Sequence, residues 1–384
     1  MRTSEPRPKD WTNILFLSLS PLVGVIGTAL YAWRYGVAWW EPLLFFTLFM
    51  AVGIGIGSGY HRHFSHRTYE CHPVVEAFLL FFGAMALQNS ALQWSRDHRD
   101  HHRFVDKDWD PYNINRGGWW AHILWIFYKE PKDATYRNCP DLTKNKLVMA
   151  QHRWSGFLGI GIGLGLPLAI GALFGRPVGG LLWGGFLRIV LVHHTTFFVN
   201  SLAHLYGSRP YTEENSARDN WLLAFFTHGE GYHNFHHRFP ADYRNGIRWF
   251  HWDPNKWFIR SLGVVGLARD LQATPPAIIE KARLQVAALH AGLRLSPAKE
   301  ELGAAVRARL EAARQSLEEA QRLWQEAQER RRESWDRKKR EARARLASAR
   351  QAARECEERI RIARAEWQAA LEMLTAEPIN QPVG

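Results

Sequence analysis

Four apolar runs, each long enough to cross a lipid bilayer, dominate the first 200 residues. They are roughly 13–33 (NILFLSLSPLVGVIGTALYAW), 39–59 (WWEPLLFFTLFMAVGIGIGSG), 155–175 and 179–200. A bilayer core takes about 20 mostly apolar residues as a helix, since no water is present there to satisfy unpaired backbone groups. The runs therefore predict an all-α membrane protein with four transmembrane helices. Trp11, Trp33, Tyr35, Trp39 and Trp40 stand at the ends of the first two runs, where amphipathic rings favour the headgroup layer. A fifth run, 74–92, is broken by Gln88, Asn89 and Ser90 and reads as a buried or interfacial helix. The first run is too long for a cleavable signal and lacks a small-residue cleavage site. Cys71, Cys139 and Cys356 are far apart with no CxxC, which argues against both a disulfide framework and a thiolate metal site.

Charge orients these helices. The links 34–38 and 176–178 carry one Arg each, whereas the N-terminus, the segment 60–153 and the C-terminal third are rich in Lys and Arg. The positive-inside rule predicts both termini and the middle segment on the cytoplasmic side. Half of the 18 histidines fall in HRHFSH (61–66), HRDHH (98–102) and HNFHH (233–237). The first two clusters lie between the second and third runs and the last follows the fourth, so all three emerge on one face of the membrane.

The spacing within the clusters points to metal chemistry. His98, His101 and His102, like His233, His236 and His237, are three and four residues apart, and Asn200 and His204 are four apart, so each set shares a helix face. His61 and His66 are five apart; a regular helix splays them, and they are expected where the second helix ends and the backbone turns. Nine imidazoles and an amide exceed the four to six ligands of a single metal and indicate two. Imidazole suits Fe, Zn, Cu or Ni, and the lack of nearby thiolates argues against an iron–sulfur cluster. Zinc hydrolysis would call for a carboxylate base; Glu230 and Asp97 are present and are read instead as orienting the ligand imidazoles. His63 is expected to face away from the metals. His72, His122, His152, His228, His251 and His290 read as ordinary interfacial or surface residues. His193 and His194, inside the fourth helix, are expected to contact substrate or a neighbouring helix.

The stretches GYHRHFSHRTY, QWSRDHRDHHRFVDKDWDPYN, FVNSLAHLYGSRPY and GEGYHNFHH resemble the histidine boxes of integral-membrane fatty acid desaturases, most of all the delta-9, stearoyl-CoA type, over about residues 12–272. The resemblance implies a cytosolic helical cap over the spans and two irons (Fe2+/Fe3+). With O2 and two electrons these convert a long acyl chain to the cis alkene at C9–C10. Breaking an unactivated C–H bond is beyond any side chain, so the metal does the chemistry and the protein aims it. By the same resemblance the ligands are His61, His66, His98, His101, His102, His204, His233, His236 and His237, with Asn200 acting through a water. Gln88, Trp94 and Thr196 match positions lining a bend in the acyl tunnel. Asn89, Arg96, Asp97 and Lys129 match head-group contacts, and Phe49 and Gly53 match the closed far end. Animal members carry an Arg–Lys pair where this chain has Tyr128–Lys129. An acyl chain esterified to a lipid therefore stays open beside acyl-CoA. The implied partners are membrane lipids and an electron donor, either ferredoxin or cytochrome b5 with its reductase. A hydroxylase with the same boxes is the nearest alternative. A membrane-anchored coiled-coil scaffold with an inactive metal site is the alternative from another class.

The remainder, 277–384, reads as a separate charged helical tail after a membrane domain of 1–276. Residues 277–376 hold 22 Lys/Arg against 16 Asp/Glu, a net of +6. Interleaved signs favour a solvated helix over a nucleic-acid-binding arm. Leu310, Ala313, Leu317, Ala320, Trp324 and Ala327 form a three–four stripe, and a second runs from Leu346 through Cys356 to Leu374. Such stripes predict a coiled coil, and so a route to oligomers. The charged stretch 329–345 interrupts the register and would also suit a helical hairpin; a single helix on the membrane surface is the third option. No HPGG haem motif is present, so the tail is not a fused cytochrome b5.

Overall fold

The computed structural model describes residues 7–129 and 135–292, together with isolated positions between 315 and 358. The four apolar runs form helices at Trp11–Tyr35, Trp40–Ser65, Lys146–Leu173 and Pro177–Leu205. The shortest has 25 residues, or about 38 Å at 1.5 Å per residue, against a hydrocarbon core of about 30 Å. Their outer faces leave Leu15, Leu19, Ile26, Leu30 and Phe157 uncovered by protein. Acyl chains are the solvent such side chains need, and the protein is an integral membrane protein. Pro21 lies inside the first span and is followed by a wider π-helical turn at Leu22–Gly27. That turn accommodates the carbonyls that a proline leaves without a donor.

The fifth run does not cross. It forms Pro73–Ala84, about 18 Å long and too short for the bilayer. Residues 85–90 then leave the helix, with Leu87 at φ 54° and Asn89 at φ 67°. The left-handed region suits Asn but costs a residue such as Leu on the order of 1–2 kcal/mol. A new helix, Ala91–Phe104, begins with Ser90 Oγ accepting from the Gln93 amide at 3.2 Å. Beyond the fourth span come short helices at Trp221–Phe226, His233–Arg238 and Pro254–Val264. A two-residue antiparallel pairing of Glu70–Cys71 with Ala268–Arg269 ties the end of the second span to this cap.

The second span is the centre of the core. Leu48, Val52, Ile56, Tyr60 and Phe64, every fourth residue, pack with Val75, Leu79 and Val192. Its approach to the interfacial helix depends on glycine. A Cβ on Gly55 would sit 2.5 Å from the Gly83 backbone nitrogen.

The boundary read at 276 moves. Helix Pro276–Gly292 buries Ile279 and Ala282 against Tyr211 and Phe235, and the first compact unit runs to Lys299, with a second from Glu300. Apolar positions within the first two turns after Pro276 anchor that helix to the cap. The described positions of the second unit are helical and largely exposed, and Arg322 and Arg330 both pair with Glu326. The apolar stripes of the expected coiled coil lie outside the described residues.

Gly55→Leu should lower the thermal midpoint of the detergent-purified protein by several degrees, because backbone cannot yield to the new side chain. Gly156→Leu, where a Cβ meets open space, should leave the midpoint within a degree or two. Thermal unfolding followed by intrinsic tryptophan fluorescence separates the two.

Candidate metal centre

The second span meets the five-residue spacing of its histidines by widening just before it ends. Residues Gly55–Ser65 are π-helical, and the His66 amide donates to the His61 carbonyl at 3.1 Å. An i→i+5 bond adds one residue to the turn and brings the fifth side chain back over the first. The helix ends at Ser65 with His66 as its cap and Arg67 at φ 54°, as the spacing led one to expect, and the widened last turn puts both rings on one side.

The nine imidazoles gather as two groups. His61, His66, His98, His102 and His236 form one, and His101, His204, His233 and His237 the other, with the donor atoms of each group within 4.8 Å of one another. Helix Ala91–Phe104 supplies His98 and His102 to the first group and His101 to the second, so one helix joins the two. Nε2 atoms face each other directly: His61–His236 at 2.9 Å, His66–His98 at 2.8 Å and His102–His236 at 2.9 Å in the first group. In the second, His101–His237 is 3.2 Å, His233–His237 3.0 Å and His204–His233 3.1 Å.

The opposite ring nitrogens settle what these contacts are. His61 Nδ1 meets Glu230 at 2.8 Å and His101 Nδ1 meets Asp110 at 2.9 Å. His98 Nδ1 lies 3.3 Å from the Tyr112 hydroxyl, and His204 Nδ1 lies 2.7 Å from Ser216 Oγ. A carboxylate accepts, so on His61 and His101 the proton sits on Nδ1 and Nε2 presents a lone pair to the facing ring. Lone pairs about 3 Å apart repel unless a cation lies between them. Two nitrogens at right angles around a metal, each ~2.1 Å away, are ~3.0 Å apart, and at tetrahedral angles ~3.4 Å. The observed separations match the right-angled arrangement, and five donors exceed a tetrahedral zinc site. The residues fit two metals, with five imidazoles for one and four for the other.

Electrostatics keep the donors ready. Burial, and after it the neighbouring rings, hold His66, His98, His102, His233, His236 and His237 well below the ordinary histidine range, hence neutral. Burial works against the Glu230 carboxylate, yet Arg62 and His61 beside it lower its pKa to about 2. Arg62, itself buried, reaches both Glu230 and Asp253 at 2.9 Å.

Among the predicted second partners, Glu230 is where it was expected and Asp97 is not. Asp97 pairs with Arg96 at 2.8 Å and faces the large cavity. Asp110 takes its place, and the Asp106 carboxylate accepts from Ser216, the residue that orients His204. Both acids lie in DKDWDPYN, just after the second box; their number there was a visible signal, but the loop that folds them back was not. His63 lies outside both groups, held by the Tyr69 carbonyl and Glu76 at 3.1 Å each, with Cys71 Sγ 3.8 Å away.

Two cavities meet at the metals. The larger, about 770 Å³, is lined by the polar and charged Asn89, Arg96, Asp97 and Lys129 and by Gln88 and Thr196. The smaller, about 60 Å³, reaches Gly53 past His61 and His233. Trp94, Tyr112, Thr196 and Asn200 line both. Asn200 thus stands beside the imidazoles. Phe49 does not reach the wall: His228 intervenes, its ring 4.8 Å from that of Phe49 and occupying the space a Cβ on Gly53 would need, 2.4 Å away. His228 is therefore a buried cavity residue, not a surface one; its left-handed backbone (φ 54°) before Gly229 turns it inward. His122 is likewise buried, between Ser201 at 3.0 Å and His194 at 3.1 Å. His193 bonds the Ala86 carbonyl of the neighbouring segment at 2.7 Å.

Asp110→Ala should weaken metal retention roughly 10–100-fold, the usual cost of losing such an orienting partner, and His101→Ala should cost at least one metal per chain. Asp97→Ala and His63→Ala should retain both. Metal per chain by plasma mass spectrometry after chelator challenge decides; equal losses for Asp97→Ala and Asp110→Ala would refute the assignment of orienting groups.

Residues 38–262 match the family model described as fatty acid desaturase. The chain is 41% identical over 289 residues to a probable acyl-CoA desaturase of Schizosaccharomyces pombe, covering 73% of this chain and 58% of that protein. It is 35% identical over 271 residues to an sn-2 palmitoyl-lipid 9-desaturase of a Nostoc species, covering 69% and 91%, respectively. With the stearoyl-CoA desaturase of Sus scrofa it shares 35% over 288 residues, covering 71% and 78%. The chain thus spans less than two thirds of the fission-yeast relative but most of the other two. Family model, relatives and the two histidine groups agree: this chain belongs to the fatty acid desaturase family.

Proposed function

We propose that this chain desaturates a long-chain acyl substrate, acyl-CoA at C9–C10, to the cis alkene with iron in both metal positions. The observation that carries the reading is the pair of imidazole groups at the junction of a charged-mouthed cavity and a narrow inner one. The balanced reaction takes O2, two electrons and two protons with the chain's –CH2–CH2– and returns –CH=CH– and two waters. When bound, the irons would supply the oxidising power, held by His61, His66, His98, His102 and His236 on one side and His101, His204, His233 and His237 on the other, with Asn200 reaching in through a water.

The remaining work belongs to side chains. The Gln88 amide donates to Thr196 Oγ1 at 3.0 Å and braces the passage between the cavities. Trp94 stacks on His98 with ring centroids 4.9 Å apart, presenting an apolar wall next to the metal ligands. The neutral imidazoles and buried walls exclude water from the reacting carbons. At the mouth, Arg96 and Lys129 supply cations for an anionic head group, and Asn89 and Asp97 supply polar contacts. The relatives' names divide on this point, two naming a CoA ester and one a lipid ester. The cationic mouth favours CoA, and Tyr128 in place of a second cation is the feature that favours lipid. The electron donor is a ferredoxin or cytochrome b5 with its reductase, docking on the face that carries the imidazole groups.

Expression in a desaturase-deficient host with fatty-acid mass spectrometry tests the reaction. A cis-monounsaturated product is expected, and an accumulating hydroxy acid would replace the reading by the hydroxylase. Lys129→Glu should raise the KM for acyl-CoA several-fold at low salt and less at high salt, since an exposed charge is screened; an unchanged KM would favour the lipid ester. His228→Ala, which opens the inner end, should lengthen the accepted chain by one or two carbons, and Gly53→Leu should shorten it. Identical chain-length profiles would detach this end from the substrate path.

A further inference from the structure

The irregular segment 85–91 is gripped from two spans. From the fourth, Arg188 Nη1 donates to the Met85 carbonyl at 2.6 Å, His193 Nε2 to the Ala86 carbonyl at 2.7 Å, and Thr196 Oγ1 accepts from Gln88 at 3.0 Å. From the third, the Gln151 side-chain oxygen accepts from the Ala91 amide at 3.1 Å, and His152 meets Ser90 Oγ at 2.6 Å. Arg188 is fully buried at membrane depth, and its other donors go to the Gly163 and Gly184 carbonyls at 2.8 Å each. All of its described bonds are to carbonyls. An ionisable group kept in such a place needs a reason, and a non-helical backbone at this depth survives only where protein satisfies it. The two explain one another: the fourth span carries its polar groups where the broken fifth run leaves carbonyls.

This segment also lines the large cavity. Leu87, Gln88 and Asn89 line it together with Arg96, Lys129 and the imidazole of His98, and His193 lines it too. Leu87 and Asn89 hold left-handed backbone there, a conformation that relaxes when its clamps go. Shifting 85–89 changes how many carbons fit between the mouth and the imidazoles.

We propose that Arg188 and His193 are positioning residues that fix the double-bond position, by locking 85–89 as the ruler between head-group site and metals. The inference rests on the desaturase reading. It assigns regiochemistry to backbone carbonyls held from behind, and not only to side chains that touch the chain.

The test uses the full-length protein in a desaturase-deficient host, with double bonds located by mass spectrometry of disulfide adducts and comparison restricted to membrane-assembled protein with both metals bound. Wild type is expected to give one dominant positional isomer. His193→Leu should raise the neighbouring isomer roughly tenfold, the ratio expected from losing about one buried hydrogen bond. His193→Gln, whose amide nitrogen still reaches the Ala86 carbonyl, should restore the wild-type isomer. His193→Asn, polar but too short, should behave as the Leu variant and serves if that one fails to assemble; Arg188→Gln should shift the ratio the same way. An assembled, active His193→Leu or His193→Asn protein with the wild-type isomer ratio would overturn the proposal. Absence of any unsaturated product from wild type would instead overturn the underlying reaction.

Discussion

Neutral imidazole nitrogens facing one another at 2.8–3.2 Å across a buried space are the contacts on which the remaining structure depends. A metal ion rewards so many imidazoles in one buried place, and the fold must force them together. The forcing is visible element by element. A π-helical stretch turns His66 back over His61. One helix divides its three imidazoles between the groups. Two residues at the end of the fourth span, Asn200 and His204, bring that helix to the same point. Because such a site does not exist in the unfolded chain, metal binding and assembly of this cap are thermodynamically coupled.

Around the rings stands a shell of carboxylates that is itself restrained. Glu230 orients His61, accepts from Asn245 at 2.6 Å and pairs with Arg62, which in turn holds Asp253. Asp253 caps helix Pro254–Val264 through the Lys256 amide at 2.9 Å. Ligand geometry, a buried ion network and the cap of a helix more than twenty residues away are thus one connected system. Removing a member leaves a buried charge unpaired, which is more damaging than never having had the pair.

The spans and the ligand boxes were legible because their signals are local: apolar length in one case, three–four spacing in the other. What the sequence hid was long-range or depended on backbone irregularity. The His61–His66 spacing looked incompatible with a helix because regular periodicity assumes α geometry. Asp97 looked like an orienting acid because it adjoins His98, yet Asp110 does the task through a loop whose course no pattern encodes. His228 was unremarkable in sequence, as its meaning comes from Gly53 on another helix. The expected boundary at 276 followed proline punctuation, but two buried residues, Ile279 and Ala282, carried the packed unit past it.

The far side of the membrane completes the constraint. Glu41, fully buried, pairs with Arg176 at 2.9 Å and accepts from the Ala38 amide at 2.8 Å. Gly179 leaves room for it, since a Cβ there would overlap the carboxylate. Glu41 opens the second span and Arg176 immediately precedes the fourth, the two helices that carry His61 and Asn200–His204 at their other ends. Glu41 and His61 are separated by twenty helical residues, about 30 Å, so an ion pair at one surface sets the mutual height of two helices whose opposite ends must meet around metals. Trp40 stacks on Phe174 with ring centroids 4.8 Å apart beside that pair. A small axial slide of either span would be tolerated by lipid-facing Leu and Ile, which have no register to lose. It would not be tolerated by nitrogen atoms that must converge to within a few tenths of an ångström. The polar contacts at the far surface, and not the greasy faces between, are therefore what registers the spans for the metal centre.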